Sequence, residues 1–191
     1  MIRDSILAGI FIGIAGIAYL TIGGLVGAIA FSLGLILVCY QDIPLFTGKA
    51  GTYKNMSELY FEILIGNYIG CLIIGFAGFI CMTNFDSLKI IIDNRLSSSI
   101  IETLFKSIMC GLIMDNIVAA YRAKQNPLPL LLGVPVFIMC GFYHCIADCF
   151  YYALAFFAGI LDNSYICKTL VLSIVGNFIG CNIRRVLAYD F

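Results

Sequence analysis

The sequence predicts an all-α membrane protein with six transmembrane helices in an inverted three-plus-three repeat, the second and fifth helices broken. Three observations carry that prediction. Of 191 residues, 62% are hydrophobic and only 12% charged, with a mean hydropathy of +1.03, which is more apolar surface than a soluble domain of this size buries in its own core. The hexapeptide GNYIGC at 66–71 returns as GNFIGC at 176–181. Proline and glycine interrupt one long apolar segment in each half.

A spanning helix takes about 20 mostly apolar residues, and six apolar segments stand at approximately 5–20, 22–40, 59–82, 100–121, 128–159 and 166–187. The first begins directly after Met1-Ile2-Arg3-Asp4 without the basic lead-in or small-residue cleavage site of a secretory signal, so it is expected to be a retained span. The second meets Asp42, Pro44, Gly48 and Gly51, which end a regular helix near Pro44. The third carries the first GN-x-x-G, where small residues four apart let helix backbones approach closely in lipid. The fourth contains Asp115. The fifth is too long for one straight helix and carries Gly133, Pro135 and Gly141 just before His144. The sixth holds the second GN-x-x-G.

The repeat divides the chain into two three-span halves, approximately 1–85 and 96–191, of one transmembrane domain over 1–191. An odd number of spans per half makes equivalent helices cross in opposite directions. Irregular backbone at membrane depth survives only where protein or a water-lined cavity covers it, so the paired breaks point to a site at the bilayer midplane where the halves meet. Charged connections separate the segments: Lys49 to Glu58, Asp86 to Arg95, Arg122 to Lys124 and Asp162 to Lys168. With both termini cytoplasmic, Arg3, Lys49, Lys54, Arg122, Lys124, Arg184 and Arg185 lie inside, against Lys89, Arg95, Lys106 and Lys168 outside, the bias that the positive-inside tendency requires.

Nine cysteines are scattered through the apolar segments, where they serve as small polarizable fillers. Cys145 and Cys149 flank one turn of helix beside His144, but no second cluster of ligands completes a tetrahedral site, so neither metal nor cofactor is expected. The formal net charge is zero, and no basic run marks a nucleic-acid partner. No nucleophile motif or phosphate loop accompanies the ionisable residues, so an enzyme is not expected.

The stretch GFYHCIADCFYY, 141–152, holds the single histidine of the chain. A core histidine satisfied by a backbone carbonyl is one explanation. Its position after a proline and glycine break, opposite a second broken segment, favours a role in transport. Asp148 lies one helical turn on, where it either orients the ring or meets a neighbouring subunit. Asp115, a carboxylate in an apolar span, requires a partner or a proton. Phe142, Tyr143, Phe150, Tyr151, Tyr152, Phe156 and Phe157 are expected to pack helices and subunits.

AFSLGLIL (30–37), LFTG (45–48), the two GN-x-x-G copies and GFYHCIAD (141–148) together resemble the formate/nitrite transporter family of pentameric anion channels, over nearly the whole chain. The resemblance implies an aquaporin-like protomer with its own pore in each subunit of a homopentamer, an integral protein of a prokaryotic inner or cell membrane. It implies an outer constriction of Phe31, Leu35 and Phe137, an inner one of Leu45, Phe46 and Val118, and a central His144 faced by Thr47. Asp115 is then expected near Thr47 or the loop backbone. Pro44 and Tyr143 stand where the family usually has acidic residues, Asp115 and Asp148 where it has asparagines. The basic residue of the outer approach falls near Ser99, with Arg95 a helical turn earlier, and the segment from LFTG to GNYIGC looks shortened, which should truncate the helix after the loop.

An anion entering a low-dielectric pore loses hydration at an idealised cost of about 20 kcal/mol, and protonation removes most of it. Imidazole titrates near neutrality, so His144 is expected to lend or relay a proton to a small monovalent weak-acid anion. Formate and nitrite are the implied substrates and hydrosulfide the alternative, with membrane lipid the surrounding partner. A non-transporting membrane sensor would need no such pore.

Overall fold

The computed structural model describes residues 1–51, 59–161 and 166–187. Among them there are helices and no strands: α1 (Ile2–Ile22), α2 (Gly24–Tyr40), α3 (Phe46–Lys49), a π-helical turn (Leu59–Leu64) running into α4 (Ile65–Cys81), α5 (Asp86–Ser97), α6 (Ile100–Lys124), α7 (Leu128–Met139), α8 (Cys145–Phe157) and α9 (Ile166–Leu187). Four described helices are long and apolar enough to cross a membrane: Ile2–Ile22, Phe61–Cys81, Ile100–Lys124 and Lys168–Leu187. Three more are apolar and shorter: Gly24–Tyr40, Leu128–Met139 and Cys145–Phe157. Large apolar side chains such as Val26, Leu33, Phe61, Ile80 and Ile101 remain exposed around the bundle, as a lipid-facing surface requires.

The second apolar segment stops at Tyr40 and restarts as the four-residue α3. The fifth is two helices, α7 and α8, separated by Gly141 at φ 68, backbone that glycine adopts without a Cβ penalty. The charged connection at 86–95 is not a loop. It lies within α5, whose Asp86 and Arg95 stand at the helix ends the macrodipole favours, while Leu88 and Ile92 bury one face. Residues 52–58, including Lys54 and Glu58, and 162–165, including Asp162, lie outside the described residues, so the extent of any helix beyond α3 does too. Helix α6 opens on Ser99, whose hydroxyl accepts from the Glu102 N–H at 3.2 Å, one half of a capping box, and closes on Gln125 at φ 52.

Two parallel helix pairs form the frame. In one, α4 lies against α1: a Cβ at Gly70 would run into the Ile6 carbonyl, and Gly66 sits over Ser5. In the other, α9 lies against α6 in the same manner, with Gly180 on the Ile108 carbonyl and Gly176 over Ser107. The small residues of both GN-x-x-G copies thus make backbone contacts that a side chain would prevent.

The asparagine of each copy does a second job. Asn67 Nδ2 donates to the carbonyls of Ser5 (2.7 Å) and Pro44 (3.1 Å), and its Oδ1 accepts the Phe46 N–H at 2.9 Å. Asn177 Nδ2 donates to the carbonyls of Ser107 (2.8 Å) and Tyr143 (2.8 Å), and its Oδ1 accepts the Cys145 N–H at 2.8 Å. Each fully buried amide therefore ties a broken segment to a long helix with three hydrogen bonds. Replacing Asn67 or Asn177 with Leu strands all three groups, and a buried polar group left unpaired costs about 1–3 kcal/mol. Each variant should lower unfolding stability by about 2–3 kcal/mol in thermal melts followed by circular dichroism. Ile73→Ala, on the exposed face of α4, should leave the melt nearly unchanged, and equal losses for all three would contradict the assignment.

Candidate functional site

The two breaks meet at Thr47 and His144. Thr47 sits in α3, one residue after the Phe46 N–H that Asn67 holds, and His144 caps α8, one residue before the Cys145 N–H that Asn177 holds. Thr47 Oγ1 lies 2.9 Å from His144 Nε2. On the other side of the ring the Ala147 N–H donates to Nδ1 at 3.1 Å. A nitrogen that accepts an N–H carries no proton, so in the neutral ring the proton is on Nε2 and is donated to Thr47. The threonine hydroxyl keeps its own proton to donate elsewhere.

Phe137 stacks on the imidazole, with centroids 5.5 Å apart and planes 25° apart, and Phe31 meets Phe137 edge-on at 6.1 Å. A cavity of about 160 Å³ is bordered by Phe137, His144, Ala147, Tyr151, Asn94 and Arg95. A second cavity, of about 440 Å³, is bordered by Leu35, Leu45, Gly48, Val118, Lys49 and Arg122. Leu35 borders the same cavity as Leu45 and Val118, and Phe31 meets Phe137. Phe46 is fully buried and is placed through its backbone by Asn67.

Both carboxylates singled out from the sequence have arginine partners. Asp148 Oδ1 accepts from Arg95 Nε at 2.9 Å, and its Oδ2 accepts the Ser173 hydroxyl at 3.3 Å; among the described contacts its side chain makes none with the imidazole, whose ties run to Thr47 and Ala147. Asp115 Oδ2 accepts from Arg184 Nε at 2.9 Å, and its other oxygen lies against Gly51, where an added Cβ would come within 3.1 Å. That places Asp115 beside the loop backbone.

Tyr143 is an anchor as well as a packing residue. Its ring carries the Arg95 guanidinium at 3.8 Å, and its hydroxyl reaches Ser98 and the Asn94 carbonyl. The asparagines and Arg184 were missed as site residues. The asparagines left a signal, since both copies of the repeat carry one, whereas nothing in the local sequence pairs Arg184 with a residue 69 positions away.

Comparison with known proteins agrees with this architecture. The profile of the formate/nitrite transporter family matches residues 1–190. The formate channel FocA of Escherichia coli (strain K12) is 29% identical over 178 residues, which cover 76% of this chain and 62% of that protein. The chain thus spans less than two thirds of the length of that curated relative. An uncharacterised transporter of Bacillus subtilis (strain 168), YrhG, is 24% identical over 84% of this chain and 68% of its own length. Among solved structures, a pentameric formate channel with formate bound superposes with a TM-score of 0.84 at 22% identity, over 98% of this chain and 94% of that one. An ion channel of the same family superposes at 0.81, with 22% identity, over 97% and 87%. With the family profile covering the chain from end to end and the fold matching its channels, this integral membrane protein belongs to the formate/nitrite transporter family.

Proposed function

We propose that the chain is one subunit of a homopentameric channel for small monovalent weak-acid anions, formate and nitrite first, each subunit carrying its own pore. The observation that carries this reading is the Thr47–His144 bond, with His144 bordering the smaller cavity and Leu45, Gly48 and Lys49, the sequence neighbours of Thr47, bordering the larger. The matching Asn67 and Asn177 bonds, and helices α1 and α6 holding equivalent places against α4 and α9, support an inverted three-plus-three repeat of six spans. In it α2 with α3, and α7 with α8, each count as one broken span. The basic residues Lys49 and Arg122 around the larger cavity support a cytoplasmic location for that end and for both termini.

In this reading Phe31, Leu35 and Phe137 form the outer constriction and Leu45, Phe46 and Val118 the inner one. Apolar rings exclude a hydrated ion and admit a neutral acid. The proton passes along a short chain. An anion beside Thr47 takes the hydroxyl proton while the threonine takes the Nε2 proton of His144. In the same step the ring takes a proton at Nδ1 from a hydronium ion reaching it through the smaller cavity, which leaves water behind, and this requires the Ala147 N–H to release Nδ1. Afterwards the ring holds its proton on the other nitrogen and resets before the next passage. A neutral acid leaves through the second constriction and ionises again in water.

Flux of formate, nitrite and hydrosulfide into liposomes, corrected for protein-free vesicles, tests this reading. The parent should carry weak-acid anions faster as pH falls between about 8 and 5. His144→Phe should abolish flux with the oligomer intact, His144→Asn should remove the protein-dependent pH slope, and Thr47→Val, which leaves the Nε2 proton to pass to the anion without the hydroxyl between them, should slow transport by about fivefold to tenfold. Undiminished, equally pH-sensitive flux in folded His144→Asn protein would show that the histidine is structural.

Asp148 and Arg95, in the wall beside His144, are a buried pair with side-chain exposures of 2% and 11%. Removing one partner leaves a stranded charge, at a typical cost of about 3–5 kcal/mol. Arg95→Met should therefore lower the melting temperature strongly, and Asp148→Asn introduced into the same chain should recover most of the loss. If the double variant melts below the single one, the pair is not acting as a compensated charge.

A further inference from the structure

Helix α3 carries the threonine of the proposed pore and has only four residues. No i to i−4 bond closes within four residues, so the carbonyls of α3 take their partners from outside the element. The backbone closes two short bonds, Gly48 N–H to Leu45 at 3.1 Å and Ala50 N–H to Phe46 at 2.7 Å. Among the described residues, the carbonyls that follow take side-chain donors from the second half of the chain. Thr47 O accepts from Cys181 Sγ at 3.2 Å, Gly48 O from Arg122 Nη1 at 3.4 Å, and Ala50 O from Asn182 Nδ2 at 3.3 Å. Gly51 then passes so close to the Cys181 carbonyl that a Cβ would collide with it.

The opposite break shows what is special here. Cys71 occupies in GNYIGC the place of Cys181 in GNFIGC, and its thiol donates to the Ile146 carbonyl of α8 at 3.3 Å. Each thiol therefore holds the broken segment of the other half, and each also leans on a glycine carbonyl of the neighbouring long helix, Gly9 for Cys71 at 3.7 Å and Gly111 for Cys181 at 3.4 Å. Helix α8, with thirteen residues, closes its interior carbonyls itself and takes the single thiol. Helix α3 takes a thiol, an amide and a guanidinium.

We propose that Cys181, Asn182 and Arg122 are positioning residues of the channel, a side-chain clamp on the carbonyls of α3 and the residue after it that holds Thr47 at His144. Their effect on transport rests on the reading above, whereas their effect on α3 does not. Cys181 acts on the residue that touches the histidine and is fully buried, so it carries the largest share. Asn182, half-buried, holds the exit of the same short helix.

Hydrogen exchange of the 46–51 amides in the purified oligomer, read together with formate flux at pH 5 and pH 8, separates donation from packing. Cys181→Ala should speed exchange at 46–51 about fivefold, the equivalent of one lost hydrogen bond. It should slow formate flux by a similar factor at both pH values, with α4 and α6 exchanging as in the parent. Cys181→Ser, which keeps a donor of nearly the same reach, should stay within about twofold of the parent in both readouts. Parental exchange at 46–51 in Cys181→Ala, or equal acceleration in the Ser and Ala variants, would overturn the clamp. If Cys181→Ala does not assemble, Asn182→Leu carries the test: faster exchange confined to 46–51 supports the clamp and parental exchange overturns it. A parent that passes no formate, nitrite or hydrosulfide would remove the transport reading and leave the exchange result to decide the clamp.

Discussion

Inside a bilayer there is no water to take up a backbone group that leaves a helix, and each such group costs several kcal/mol unless the protein supplies a partner. This chain leaves the helix twice in its interior, after Tyr40 and after Met139, and the rest of the structure is arranged around satisfying those two departures. The small residues of the repeated hexapeptide bring α4 to α1 and α9 to α6 at backbone distance. Only at that distance does a side chain as short as asparagine reach both the long helix beside it and the broken segment beyond. Close packing and polar satisfaction are therefore one requirement, and the GN-x-x-G unit meets both.

The same requirement places the chemistry. A break held by fixed amides presents a few groups in defined positions, and here they are a hydroxyl from one break and an imidazole from the other, 2.9 Å apart. His144 is bound on both nitrogens, as N-cap of α8 through Nδ1 and as partner of Thr47 through Nε2. Its structural duty fixes the tautomer, and the tautomer fixes the direction in which the Thr47 hydroxyl is free to donate. A ring so held is poised to donate and must give up its cap to take a proton, which makes the Ala147 N–H part of any transfer through the ring.

The apolar helices and both breaks were legible in the sequence because the bilayer turns length and hydropathy into nearly sufficient criteria, and because proline and glycine act on their own neighbours. Helix α5 escaped because it is short, lies at the surface and buries just Leu88 and Ile92, too weak a pattern beside the charges around it. The partners at the site were hidden for a different reason. Asn67 reaches residues 62, 23 and 21 positions away, Arg95 reaches Asp148 across 53, and Cys181 reaches Thr47 across 134. Hydrogen bonds over such separations exist only once the helices are packed. The glycines of the repeat announced close approach, but what the asparagine and cysteine between and after them would touch depended on the chain that approached.

The two acidic residues show how charge is tolerated beside the proposed path for anions. A bare carboxylate near the centre would oppose an anion's entry over several ångströms of low-dielectric protein, where charges interact far more strongly than in water. Asp148 and Asp115 are each paired with an arginine at 2.9 Å, so each contributes a dipole in place of a net charge, and a dipole's field falls off faster with distance. The pairs also span elements: Arg95 ties the surface helix α5 to α8, with Ser173 of α9 on the other oxygen, and Arg184 of α9 holds Asp115 of α6 beside Gly51. One pair thus stands behind each break, on α8 one turn after His144 and against Gly51, two residues past the end of α3. The carboxylates fasten the walls of the central site while leaving its potential to the hydroxyl, the imidazole and the basic residues at the cavity mouths.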